Sequence, residues 1–198
     1  MTFLERARRS QFIECALEAL AELGFTGTSV AEVARRAEVS KSVVLYHFGS
    51  KQELLEAAVE EVYAKAAPDL LAAMESAQGH REKLDAYLHG CVMFAWTNQQ
   101  RLAGVGEIFR NLRDSDGRLR YSHADSDALI SVVEQMLLNG QHAGEFGHVH
   151  ARTVAVMIRS TIDALPGVFA AEPGTDALAF STRLCEAVGR MVAKEMTS

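Results

Sequence analysis

The sequence predicts an all-α fold of about nine helices. Apolar residues recur at helical spacing along nearly the whole chain, and no segment convincingly alternates as a strand does. Ala, Leu, Glu and Arg, good helix formers, dominate, and only three prolines interrupt them. With 198 residues, 48% of them hydrophobic, the chain is long enough for one sizeable core or for a small module joined to a larger one.

The first helix is expected over 3–23. Phe12, Ile13, Ala16, Leu17, Leu20 and Leu23 form its buried stripe, and Gly24 fits its C-terminal stop. Two short helices follow. Ser29 and Glu32 have capping-box spacing, with Val30, Val33, Ala34 and Ala37 facing inward. Ser40 caps the next segment, which ends near His47, and Val39, Val44 and Phe48 pack inward from it. Ser50 and Glu53 make a second capping box. It opens a long helix in which Leu54, Leu55, Ala58, Val59, Val62, Tyr63 and Ala66 repeat at i, i+3 and i+4. Pro68 ends or kinks that helix, which continues or restarts over 69–77. Further helices are expected over 80–98, 100–112, 124–143, 149–170 and 175–196. The polar stretch 113–122 and the glycine-containing 143–150 read as loops, and Pro173-Gly174 separates the last two helices.

The net charge of −6 excludes a protein that is basic all over, but charge is unevenly distributed. Residues 1–51 hold seven Lys/Arg and six Asp/Glu, a balance of +1, so the remainder carries −7. Three distant cysteines in no metal-finger spacing suit a reducing compartment. The charged N-terminus lacks an apolar signal region, and no uninterrupted apolar run approaches the roughly 18 to 20 residues that span a bilayer. The expectation is a soluble cytoplasmic protein without a membrane partner.

Two short helices braced by a longer first one form a helix-turn-helix candidate. In such a unit the second short helix enters the DNA major groove by its N-terminal end. Here that end carries Ser40, Lys41 and Ser42 as hydrogen-bond donors, with Val43 suited to a thymine methyl. Lys41 and Lys51 each follow a capping serine, so both fall where the helix dipole disfavours a cation. A phosphate resolves the conflict, because dipole, backbone N–H groups and ammonium then act on one anion. Tyr46 and His47 add a hydroxyl and a ring N–H at the far end of the short helix.

Residues 28–55, TSVAEVARRAEVSKSVVLYHFGSKQELL, resemble the DNA-binding signature of the TetR family of transcriptional repressors. The resemblance is specific over roughly the first 60 residues. Beyond them it rests on helix pattern, length and the turn from Gly140 to Phe146. It implies a helix-turn-helix DNA-binding domain over 1–50 and an effector-binding and dimerisation domain over 51–198. It also implies a homodimer on double-stranded, palindromic operator DNA, released by a small effector. Carried onto this chain, Thr28 and Ser29 hold phosphate, Ser40, Lys41, Ser42 and Val43 lie in the groove, and Tyr46, His47 and Lys51 clamp the backbone. Two positions depart from the family pattern: Glu38 stands where glycine is frequent in the turn, and Leu45 where tyrosine is common.

The effector pocket is expected in the larger domain, with Tyr87, Cys91, Phe94, Trp96, Phe109, Met136 and Met157 as candidate contacts. That mix suits a small, mostly apolar, neutral or weakly polar organic molecule. The apolar faces of the last two helices suit a four-helix dimer interface. Those faces carry Val154, Met157, Ile158, Ile162 and Leu165, then Leu178, Leu184, Val188, Met191 and Val192. No metal or cofactor motif is recognised: His142, His148 and His150 read as solvated loop residues, and Asp114, Asp116 and Gly117 lack the later ligands of a calcium loop. The rival reading, an α-helical enzyme or carrier, needs an acid, base or nucleophile pair, and none stands out.

Overall fold

In the computed structural model residues 2–121 and 123–194 are described, the side chains of 123–126 excepted. The described chain forms α1 (Phe3–Gly27), α2 (Val30–Arg36), α3 (Lys41–Phe48), α4 (Lys51–Ser76), α5 (Gly79–Thr97), α6 (Gln99–Asn111), α7 (His123–His142), α8 (Ala151–Ala171) and α9 (Ala177–Val192). Among the described residues there is no strand, only an isolated antiparallel bridge between Arg113 and Leu119. The all-α expectation holds, and the end of the last helix expected at 196 falls partly outside the described residues.

The helices form two compact units, Met1–Lys65 with Asn98–Tyr121 and Ala66–Thr97 with Ser122–Ser198. The first therefore holds α1–α3, the first half of α4, and α6. The inclusion of α6 was not apparent from the sequence. It packs along α1, where a methyl group on Gly104 would stand 2.8 Å from the carbonyl oxygen of Leu17. Only glycine permits that approach. Arg101 of α6 pairs with Glu14 of α1 at 2.8 Å.

Within this unit α1 buries Phe12, Ile13, Ala16, Leu17, Ala19 and Leu20, whereas Leu23, expected in the stripe, is exposed. Leu23 is the last residue before Gly24, whose φ of 68° breaks the helix. Ser29 caps α2 by accepting the Glu32 N–H at 3.1 Å. The reciprocal half of the expected capping box is not formed, because the Glu32 carboxylate is taken by Arg35 and Arg36 at 2.8 Å each. Glu38 in the following turn has φ 55°, the left-handed conformation that glycine would adopt more cheaply. Ser50 caps α4 through the Glu53 N–H. Pro68 does not end α4, which runs on to Ser76; its ring simply withholds one N–H from the helix ladder.

The second unit is built on Leu84, Leu88, Val133, Leu137, Ala155 and Ile158, fully or nearly fully buried from α5, α7 and α8. The turn after α7 closes it: the Glu145 carboxylate accepts the His80 and Arg81 N–H groups at 2.7 and 3.1 Å, capping α5. By length and composition α8 could cross a bilayer, although charged and polar residues interrupt its apolar run. Its Ala151, Val154, Ala155, Ile158 and Ile162 form part of this core, as do Val188 and Val192 of α9, so Val154, Ile158, Ile162, Val188 and Val192, expected at a dimer interface, pack within the protomer.

Candidate nucleic-acid interface

The first unit exposes one face of α3 and anchors the other. Val44 and Phe48 are buried, and Phe12 of α1 meets the His47 and Phe48 rings edge-on at 5.4 and 6.4 Å. Arg9 of α1 donates to the His47 carbonyl, with its guanidinium 4.0 Å from the centre of the Phe48 ring. The C-terminal end of α3 is thus fixed by α1. Its opposite face presents Ser40, Lys41, Ser42, Val43 and Tyr46, all exposed, with Tyr46 at 83%. A large aromatic side chain is thus held far into solvent on the same short helix as Lys41, Ser42 and Val43.

Ser40 occupies the N-cap position of α3, yet its side chain makes no capping bond. Its hydroxyl instead lies 2.8 Å from that of Ser42. The first turn of α3 is left without a side-chain cap, the condition under which a helix N-terminus receives an external anion or base edge. Leu45 is half-buried at the edge of this face.

The remaining predicted contacts are placed differently. Thr28 is only 1% exposed, and its hydroxyl donates to the Gly24 carbonyl at 2.9 Å, closing the end of α1. Ser29 is exposed at the start of α2. Lys51 is half-buried: its ammonium donates to the Phe25 carbonyl at 3.0 Å and sits 4.2 Å from the centre of the Phe25 ring. Burial lowers the Lys51 pKa below its ordinary value. The Phe25 N–H donates to Glu107 of α6 at 3.1 Å, so this turn is held from two sides. Arg35 and Arg36 are engaged by acidic neighbours, Arg36 also by Glu22 at 2.7 Å.

Residues 12–58, the segment that builds this face, match the bacterial regulatory proteins of the tetR family. Among curated proteins, the chain is 33% identical over 85 residues to the HTH-type transcriptional regulator BetI of Rhizobium meliloti. That alignment covers 43% of this chain and 42% of the relative. BetI of Burkholderia thailandensis is 41% identical over 59 residues, 30% of each chain. These alignments span less than half the length of either relative. A bacterial regulatory protein of the tetR family from Rhodococcus RHA1 superposes with a TM-score of 0.81 at 20% identity, covering 95% of this chain and 98% of its own. Residues 12–58 are a TetR-family DNA-binding domain. The chain also shares its fold with the fatty acid degradation regulator FadR of Bacillus halodurans, at a TM-score of 0.75 and 17% identity over 91% and 94% of the two chains. The ketosteroid transcriptional regulator KstR2 of Mycobacterium tuberculosis matches at 0.77 and 19%, over 95% and 96%. At such identities the likeness is one of fold.

The predicted effector residues separate into groups. Tyr87 and Cys91 of α5 and Met136 of α7 come together in or against the core of the second unit. Trp96 packs elsewhere in that unit, edge-on to Phe169 at 5.3 Å, and Phe94 is half-buried on α5. Met157 is 51% exposed on α8. Phe109 lies in the first unit, stacked on Tyr63 at 6.5 Å and against Tyr121 at 4.8 Å. Burial pushes the Tyr87 hydroxyl to a pKa of about 12 and the Cys91 thiol to about 11, so both stay neutral. The sequence reading missed Arg159, 8% exposed on α8, which donates to the Tyr87 hydroxyl at 3.1 Å and pairs with Asp163. An arginine at a position of the apolar stripe was the signal available for it.

Proposed function

We propose that this regulator is a ligand-responsive repressor and not a catalyst. A homodimer binds a palindromic operator through α3 of each protomer, and a small, mostly apolar organic effector in the second unit releases it. The observation that carries the reading is the exposed face of α3, from Ser40 to Tyr46, standing on a buried Val44–Phe48 anchor. Ser40, Lys41, Ser42 and Val43 enter the major groove, while Ser29, Tyr46, His47 and Lys51 contact the backbone. Thr28 supports them from within, holding the turn that leads into α2. Lys51 exchanges its Phe25 carbonyl partner for a phosphate, or reaches both.

Dimerisation uses the outer faces of α8 and α9. Val156, Met157, Leu178 and Met191 remain exposed there, Leu178 at 60%. The effector site belongs to the second unit, where Tyr87, Cys91 and Met136 converge; two fold neighbours are named for fatty acid and ketosteroid regulation, in keeping with an apolar ligand. Effector binding shifts the population toward a conformer with lower operator affinity, by linkage. Because α4 has residues in both units, it is the proposed carrier of that shift. Capture of genomic fragments by the purified protein, followed by footprinting, tests the reading. A protected palindrome with half-sites about 10 base pairs apart, or a multiple of that, is the expected result. Failure to enrich any fragment contradicts it.

A further inference from the structure

We infer that the effector carries a single carboxylate, received by Arg159 inside the second unit; this deepens the proposed function and rests on it. The buried stripe of α8 reads Ala151, Val154, Ala155, Ile158, Ile162 and Leu165, and Arg159 interrupts it. Arg159 is itself buried, and its guanidinium reaches Tyr87 of α5, a member of the apolar core of this unit. A leucine or methionine would fill that position without the desolvation cost a buried guanidinium carries.

The charge is only partly answered. Tyr87 supplies a neutral oxygen, since burial keeps its hydroxyl protonated. Asp163, the sole carboxylate paired with Arg159 among the described residues, lies one turn along the same helix with 58% of its side chain exposed. A guanidinium inside the core is therefore balanced by a carboxylate largely in water. A ligand carboxylate can replace Asp163 and engage the planar fork of donors through both oxygens. The Tyr87 hydroxyl keeps its own proton as a second donor beside it.

The rest of the site suits the remainder of an amphipathic molecule. Leu70 and Met74 of α4, Cys91 of α5 and Met136 of α7 are half-buried against the same core. Methionines repack readily around varied apolar shapes. One guanidinium matches one negative charge, so a dianion would retain an unanswered charge and a cation would meet repulsion. The neutral or weakly polar ligand expected from the residue mix is thus replaced by an apolar body with one anionic end.

Calorimetric titration of the full chain tests this with hexanoate, decanoate and 4-phenylbutanoate, each beside the alcohol and the amine of the same skeleton. At least one acid is expected to bind the wild type about tenfold or more tighter than its alcohol, with the amine weakest. Arg159→Gln should lower acid affinity by about tenfold or more and leave the alcohol nearly unchanged, and Asp163→Asn should tighten acid binding by removing the internal competitor. An alcohol equal to its acid on the wild type overturns the inference, as does a lack of binding by all three acids. The wild-type comparison decides the matter even if Arg159→Gln does not fold. Operator binding in the same solutions separates the two levels. An acid that binds without weakening operator affinity contradicts the effector reading but not the site. A neutral compound that releases DNA through this core leaves the effector reading standing and overturns the carboxylate.

Discussion

Glu38 holds a left-handed backbone conformation, φ 55°, in the turn between α2 and α3. A side chain there costs about 1 kcal/mol relative to an unstrained geometry. Glu38→Gly should therefore raise unfolding free energy by about 0.5–1 kcal/mol, partly offset by the greater freedom of glycine in the unfolded chain. Chemical denaturation reads this directly, and an unchanged midpoint would show the turn to be relaxed. Glu32 makes a pH-dependent contribution. Hydrogen bonds from Arg35, then Arg36, hold its carboxyl at about 2, against an ordinary value of 4.5. A depressed carboxylate contributes stability that is present above its unfolded value and lost as pH falls through the folded one. Stability should thus fall between about pH 4.5 and about 2, and Glu32→Gln should flatten that part of the profile. A variant with the same acid profile as the wild type would show that Glu32 makes no such contribution.

The helices themselves show what could be read from the sequence. Helices α2, α3 and α4 were legible because their starts carry serines and their inward faces repeat at helical spacing, both local properties. Leu23 and α6 were not. Leu23 continues the helical period but lies at the break at Gly24 and is exposed, and α6 joins the first unit through a close approach 87 residues apart in sequence, at Gly104 against Leu17. Arg159 escaped for a related reason: an arginine on an amphipathic helix is ordinarily solvated, and its burial depends on the packing of α5 against α8. In the candidate DNA site, the exposed Ser40–Tyr46 face followed from periodicity, whereas the burial of Thr28 and the Phe25 carbonyl under Lys51 required tertiary contacts. The α1–α6 approach has a testable consequence. Gly104→Val should destabilise the protein by about 1–3 kcal/mol, because a methyl already falls inside contact distance of a backbone oxygen. A fully stable variant would show that α6 can move off α1 at little cost.

At the scale of the molecule, the proposed operator binding requires two copies. The exposed apolar residues of α8 and α9 define the proposed interface, so Met157→Glu combined with Leu178→Glu should yield a monomer by light scattering. That monomer should keep its helical signal and bind the operator far more weakly, since it can occupy only one half-site. A double variant that remains dimeric would place the interface elsewhere. The central claim, that the exposed end of α3 binds DNA phosphate and base edges, is tested most directly by salt titration of the captured operator with wild type and Lys41→Ala. The slope of log affinity against log salt should become shallower by about one unit per protomer, with altered preference among operator variants. An unchanged slope and an unchanged sequence preference would contradict it.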